Sequence, residues 1–248
     1  DYSEILQPLE ERGQLLGSSS KQMKNARNIV SLKNAMKSCD VKIPQQITLS
    51  SIKELEEISV EFPCVVRKLV SGGGSGIRLA MNSKDLVKKM INPFDNTTII
   101  RPVIQQYIKG YDISCSVLGT GKESKAISVQ GQLIGTPTAG RNCDFVYCGN
   151  FTPTNLTPEI QKQIAEVSET VATKLGLKGS IGIDFILDSK ENLWLMEVNP
   201  RIQGTLEMLE TASQVSITTL HYDAVFGYLP TKNPIFRPTV KIIIYSRF

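Results

Sequence analysis

The strongest constraint on this chain is a pair of apolar runs that each carry charge toward their ends. The first is Gly179-Ser180-Ile181-Gly182-Ile183-Asp184-Phe185-Ile186-Leu187 and the second is Trp194-Leu195-Met196-Glu197-Val198-Asn199-Pro200-Arg201. Both have the length and branching of strands, and the polar stretch Asp188-Ser189-Lys190-Glu191-Asn192 between them reads as a five-residue hairpin loop. Side chains two apart on a strand leave the same face, so Glu197 and Asn199 point the same way. Folding the hairpin back brings Asp184 opposite Glu197. Two carboxylates among apolar residues repel one another unless a cation lies between them. With the amide oxygen of Asn199 they form a hard-oxygen set suited to Mg²⁺, or to Mn²⁺ in its place. Arg201 follows two residues later and offers a fixed fork of donors for a phosphoryl oxygen or a carboxylate. The alternative is an ordinary edge strand that turns into a polar loop.

Composition removes other chemistries. The sole histidine, His221, lies in an apolar helical stretch and reads as a packed residue, so histidine triads and histidine metal sites drop out. The five cysteines have no Cys-x-x-Cys spacing, which argues against both a disulfide framework and a zinc site. A net charge of +4 with scattered lysines gives no nucleic-acid footprint. No apolar run approaches the 18 residues or so of a membrane span and no signal peptide opens the chain, so a cytoplasmic protein without a membrane partner is expected.

Along the chain, Tyr2 to Leu16 is a short helical pattern, and Gln22 to Cys39 reads as one amphipathic helix with Ile29, Leu32, Ala35 and Met36 in step. A short helix is expected over Ser51 to Ile58. The β-branched run Phe62 to Val70, the loop Ser71-Gly72-Gly73-Gly74-Ser75-Gly76 and Ile77 to Ala80 form a hairpin, followed by a helix over Lys84 to Met90 capped by Ser83. Strands are expected at Thr97 to Tyr107, Asp112 to Leu118 and Lys125 to Leu133, and a loop over Thr136 to Thr154. Thr157-Pro158 opens a helix with Ile160, Ile164, Val167, Val171 and Leu175 on one face, and Gly176 ends it. Helices near Gly204 to Thr211 and Thr218 to Phe226 and a strand at Val240 to Tyr245 complete an α+β order.

Two further segments suit a nucleotide. Consecutive glycines let backbone N–H groups approach phosphate oxygens, and four glycines in six residues leave the loop to be ordered by what it binds. Arg67 and Lys68, on the strand that feeds the loop, point to opposite faces, so one of them can reach a phosphate. A plain flexible turn is the competing reading. Gln105-Gln106-Tyr107-Ile108-Lys109-Gly110-Tyr111-Asp112 then offers backbone hydrogen bonds for adenine and an acid for ribose hydroxyls, or else a surface turn.

A glycine-rich hairpin, a Gln-x-Tyr-Ile-x-Gly-x-acid linker and Asp…Glu-x-Asn, in this order over nearly the whole chain, resemble the ATP-grasp superfamily of carboxylate–amine ligases, nearest its biotin carboxylase and carbamoyl-phosphate synthetase branch. The resemblance implies an α+β fold of two lobes that grip ATP between them. It puts residues 1–45 at the end of a truncated N-terminal domain and its connecting helix, 46–108 in a small lobe and 109–248 in a large lobe. It assigns Asp184, Glu197 and Asn199 to the metal, Gln105, Gln106, Tyr107 and Ile108 to adenine, and Asp112 to ribose. Arg67, Lys68, Ser71, Gly72, Gly73, Gly74 and Ser75 fall on the phosphates and Arg201 on catalysis. It further implies Mg²⁺-dependent activation of a carboxylate as an acyl phosphate for attack by an amine, and it allows a homodimer. The chain departs from the pattern at three places. Ile29 stands where a first-helix lysine is expected, and Arg67, followed by Lys68, where a second lysine is expected on the strand before the glycine loop. Gly204-Thr205-Leu206 replaces the Val-Glu-His of biotin carboxylases. An ATP-dependent carboxylase using bicarbonate and a non-catalytic nucleotide binder are the alternatives.

Overall fold

Helix α5, Pro158–Lys174, organises the larger part of the molecule. Thr157 accepts a hydrogen bond from the Ile160 N–H, Pro158 occupies the first turn, and the chain leaves the helix through Gly176 at φ +66°. Its buried stripe of Ile164, Val167, Val171 and Ala172 lies against Ile113, Cys115, Val117, Ile183 and Phe185. Each such aliphatic side chain contributes about 1.5–3 kcal/mol on burial.

The computed structural model describes residues 3–50, 54–55, 57–69, 72–74, 76–91, 101–136 and 144–245. The chain divides into two units, one formed by residues 1–43, 110–133 and 149–242 and the other by 44–109, 134–148 and 243–248. The first unit carries β5 (Gly110–Thr120), β6 (Ser124–Ile134), β7 (Tyr147–Thr152), β8 (Lys178–Asp188), β9 (Leu193–Asn199) and β10 (Thr239–Ile242). These strands form a six-stranded sheet in the order β10-β7-β6-β5-β8-β9. Helices α1 (Ser3–Glu11), α2 (Ser20–Arg27), α3 (Ile29–Ala35), α6 (Leu206–Ser213) and α7 (Ile217–Val225) belong to it too. Helix α5 covers one face. On the other, Met208, Leu209, Ile217 and Ala224 of α6 and α7 pack on Leu118 and Ile127. They cover one end of that face and leave its polar end to the site described below.

The second unit has β1 (Gln46–Thr48), β2 (Cys64–Arg67), β3 (Arg78–Ala80), α4 (Ser83–Lys89) and β4 (Val103–Gln106), with the sheet order β1-β4-β2-β3. Its core gathers Leu49, Cys64, Val66, Ala80, Leu86, Met90 and Ile104. The pairings β1–β4, β4–β2 and β2–β3 in one sheet and β10–β7, β6–β5, β5–β8 and β8–β9 in the other are antiparallel, which makes the architecture α+β.

The structure revises several local expectations. The single helix over 22–39 is broken at Asn28, whose Oδ1 accepts from the N–H groups of Val30 and Ser31 and starts α3 afresh. Asn82, not Ser83, caps α4 by accepting from the Asp85 N–H at 3.0 Å, and the Asp85 carboxylate accepts from the Met81 N–H. The expected 136–154 loop contains β7, with Cys148, Asn150 and Thr152 directed inward. Its small and polar residues hid the alternation. Strand β1 was also unforeseen, its three residues being exposed. The expected helix at 51–58 lies partly outside the described residues, and Glu54 and Leu55 form a tight 3₁₀ turn. Cys39, Cys64, Cys115 and Cys148 are free thiols. Among the described residues no helix is long and apolar enough to cross a membrane.

Candidate functional site

Four donor groups fix the hairpin at the heart of the site. The Asp188 carboxylate accepts from the Lys190 and Asn192 N–H groups, from Asn192 Nδ2 and from the Trp194 indole at 2.9 Å. These donors, the indole first, hold Asp188 well below the usual carboxylate range. The loop closes between Leu187 and Leu193, and the register then runs Phe185 to Leu195, past a bulge, to Asp184 opposite Glu197 and Gly182 opposite Asn199. The pairing of the two carboxylates is thus set by one turn and one extra residue.

Asp184 is half-buried, Glu197 is exposed and Asn199 is buried. Each Asp184 oxygen is already addressed by an amide: Gln132 Nε2 donates to Oδ1 at 3.0 Å and Asn199 Nδ2 to Oδ2 at 3.2 Å. Burial and then the facing Glu197 charge push Asp184 up to about 7, while hydrogen bonds from Ser114 and Gln132 and the charge of Arg201 pull it back. Asn199 spends its NH₂ group on Asp184, which turns its carbonyl oxygen away from that carboxylate. Among the described residues no three His, Cys, Asp or Glu side chains converge, so the set is two carboxylates and one amide.

Beside it lies a polar network that the sequence reading missed. Gln130 Nε2 donates to Ser116 Oγ at 2.8 Å, and Ser116 Oγ and Thr205 Oγ1 each donate to Gln203 Oε1 at 3.2 Å. Gln203 packs over Gly182, where a Cβ would overlap its amide. The segment from Arg201 to Thr205 is further held by the Arg201 N–H to Asn199 O bond, 2.8 Å, and by Lys241 Nζ on Gly204 O and Glu207. The Arg201 guanidinium is exposed, with Nη1 donating to Ile202 O. Asp112 lies on β5 two residues before Ser114, and burial raises its carboxyl to about 6. His221 is structural: its Nδ1 accepts from the Ser180 N–H at 2.8 Å and its Nε2 lies 3.1 Å from Leu16 O.

The first unit brings together Asp184, Glu197, Asn199 and Arg201 and carries Asp112 farther along β5. The second holds Arg67, Lys68, Gly72, Gly73, Gly74, Gln105, Gln106, Tyr107 and Ile108, while Ser71 and Ser75 lie outside the described residues. Arg67 is braced across the sheet, its Nε donating to Gln105 Oε1 at 3.0 Å and its Nη2 to Gln46 Oε1 at 3.1 Å. Lys68 is exposed. Gln106 Oε1 accepts from the Gln45 N–H, Ile108 is buried, and Tyr107 meets Phe145 edge-on at 6.2 Å. The described part of the glycine loop rests on its neighbours. Gly73 O accepts from the Tyr147 N–H at 3.2 Å, and Gly74, at φ +74°, lies so close to the Phe145 carbonyl that a Cβ would overlap it. That brace was not foreseen.

Residues 26–205 match the model of the ATP-grasp domain. The carbamoyl phosphate synthase large chain of Clostridium botulinum (strain Loch Maree / Type A3) is 25% identical over 219 residues, which is 86% of this chain and 20% of that protein. The chain thus spans about a fifth of the length of the curated relatives it matches. Among solved structures, the biotin carboxylase domain of Hydrogenobacter thermophilus 2-oxoglutarate carboxylase, crystallised as a dimer with MgADP, ADP and bicarbonate, superimposes with a TM-score of 0.73 at 21% identity, covering 94% of this chain and 53% of that one. An L-amino acid ligase from Bacillus licheniformis does so with a TM-score of 0.67 at 16% identity, covering 90% and 52%. At these identities the structural likeness is one of fold.

Proposed function

We propose, from the premise that this chain belongs to the ATP-grasp domain family, that it is the nucleotide-binding part of an ATP-dependent ligase that joins a carboxylate to an amine. The observation that carries the reading is the register of β8 and β9, which sets Asp184 against Glu197 with Asn199 bonded beside them at the uncovered polar end of the sheet. Two facing carboxylates and an amide carbonyl are a donor set that fits Mg²⁺. Bound there, Mg²⁺ would neutralise phosphate charge. The residues of the chain do the rest. Asp184, Glu197 and Asn199 would hold the cation, and the glycine loop with Arg67 or Lys68 would grip phosphates. Gln105 to Ile108 take adenine, and Asp112 takes the ribose. Arg201, exposed beside the carboxylates, holds the oxygens of an acyl phosphate while the amine attacks its carbonyl carbon and phosphate leaves.

The relatives support the class of reaction without naming the acid or the amine. Likeness to a dimeric biotin carboxylase domain extends the proposal to a homodimer, and the demand for ATP fits a cytoplasmic setting. Thr205 follows Gln203 and Gly204 where biotin carboxylases carry a glutamate, which disfavours a carboxylase reading.

The test is ADP release with Mg·ATP and a panel of amino acids, small acids and bicarbonate, with hydroxylamine present to trap an acyl phosphate as a hydroxamate. ADP and hydroxamate that depend on one acid establish the ligase. ADP formed with bicarbonate alone establishes the carboxylase. Tight ATP binding with neither product across the panel would leave a nucleotide-binding protein without catalysis.

A further inference from the structure

Gln132 was not among the residues singled out from sequence, and it contributes nothing to the core. It lies on β6, separated from β8 by β5, yet its side chain reaches across to the Asp184 carboxylate. Gln130 and Gln132 flank Gly131, which pairs with Ile113, so both glutamines project to the face that carries Ser114 and Asp184. Gly131 itself gives way to the Phe151 ring, which a Cβ there would overlap. That contact fixes the strand at the point from which Gln132 extends.

We infer that Gln132 is a positioning residue for the cation seat, acting through Asp184. The inference rests on the reading of Asp184, Glu197 and Asn199 as that seat. Without a cation, Glu197 repels Asp184 across the pairing that joins them. A carboxylate so placed turns away unless something holds it. The two amides hold it from opposite sides, Gln132 on Oδ1 from β6 and Asn199 on Oδ2 from β9. Ser114 is a third donor, but it stands on the intervening strand β5 and shares the carboxylate with them. Gln132 therefore sets the plane in which Asp184 faces Glu197. Through the Asp184–Asn199 bond it also keeps the Asn199 carbonyl directed outward. Two of the three proposed ligands are thereby tied to Gln132, and each oxygen of Asp184 retains a further lone pair for a cation. Outer partners of this kind are usually worth 10–100-fold in metal affinity.

The experiment compares wild type, Gln132→Met and Gln132→His. Methionine keeps the length and removes the donor, whereas histidine offers a ring N–H of similar reach. The probe is Mn²⁺, titrated by electron paramagnetic resonance with and without ATP, alongside melting temperatures without metal. Gln132→Met should bind Mn²⁺ about 10-fold or more weakly, with a metal-free melting temperature close to wild type, and Gln132→His should recover most of the affinity. Wild type that binds Mn²⁺ and a folded Gln132→Met that binds it equally well would overturn this inference alone. Wild type that binds no Mn²⁺ would overturn the seat itself and the inference with it. Should Gln132→Met fail to fold, a Gln132→His protein that has lost Mn²⁺ affinity also overturns the inference.

Discussion

At the scale of single residues, the proposed function assigns Glu197 to the ground state and Arg201 to the transition state. Glu197 is the exposed member of the carboxylate pair and the one without an amide donor to share its charge among the described residues. Glu197→Gln should leave the fold intact and weaken Mg·ATP binding about 10²-fold, at least as much as loss of an outer-shell partner, as read by Mn²⁺ titration and ADP release. Turnover at the wild-type rate would remove Glu197 from the seat. Arg201→Ala should leave ATP affinity within a few-fold and cut the rate by about 10² or more, the scale for one preorganised charge donor. A rise in KM for ATP with kcat unchanged would make Arg201 a ground-state contact instead. The facing of Asp184 and Glu197 was legible because strand geometry has a period of two and the loop length was plain. Gln132, Ser114 and Ser116 were not legible. They arrive from strands more than fifty positions away in sequence, and no local pattern records that β5 and β6 would lie beside β8.

At the scale of elements, the β8–β9 hairpin depends on its turn. Asp188 is an acid whose proton affinity is depressed in the folded state, so it stabilises the protein above its unfolded pKa of about 4 and loses that contribution as the pH falls. Asp188→Asn should melt below wild type near neutral pH, and the difference should shrink as the pH is lowered below about 4. A difference that stays constant with pH would mean that the turn depends on side-chain shape and not on charge. Helix α5 was legible to its ends, since threonine, proline and glycine sit where caps require them. The break at Asn28 was not, because Ala26, Ile29 and Leu32 keep helical step across it. An asparagine in an amphipathic run does not announce whether it faces solvent or caps. Strand β7 was lost for a related reason: Cys148, Asn150 and Thr152 are buried, but they are not a hydrophobic alternation.

At the scale of the whole molecule, the core of the first unit draws on distant parts of the chain. Ser18 Oγ exchanges hydrogen bonds with the backbone of Lys178, at 3.2 and 3.0 Å, and Gln22 Nε2 donates to Gly176 O. His221 adds its two ring nitrogens to the same seam. Ala26, Leu32 and Met36 belong to the cluster that contains Ile183 and Leu195. A chain cut between Lys109 and Gly110 should therefore yield two pieces that do not each melt cooperatively, and that regain a sharp transition only on mixing. Calorimetry of the separate pieces would show this, and a cooperative melt of residues 110–248 alone would contradict it.

The two units alternate along the chain in six passages, at 1–43, 44–109, 110–133, 134–148, 149–242 and 243–248. During synthesis, the four-stranded sheet has all its strands once β4 has emerged, whereas the six-stranded sheet waits for β10. The strand that completes the six-stranded sheet, β10, follows β8, β9, α6 and α7 along the chain, and until it emerges β7 presents an unpaired edge. A nascent protein of this plan therefore carries an unfinished six-stranded sheet while α5, β8, β9, α6 and α7 are made. Its yield in a cell should then respond to elongation rate and to chaperones that shield strand edges more sharply than its final stability alone would suggest.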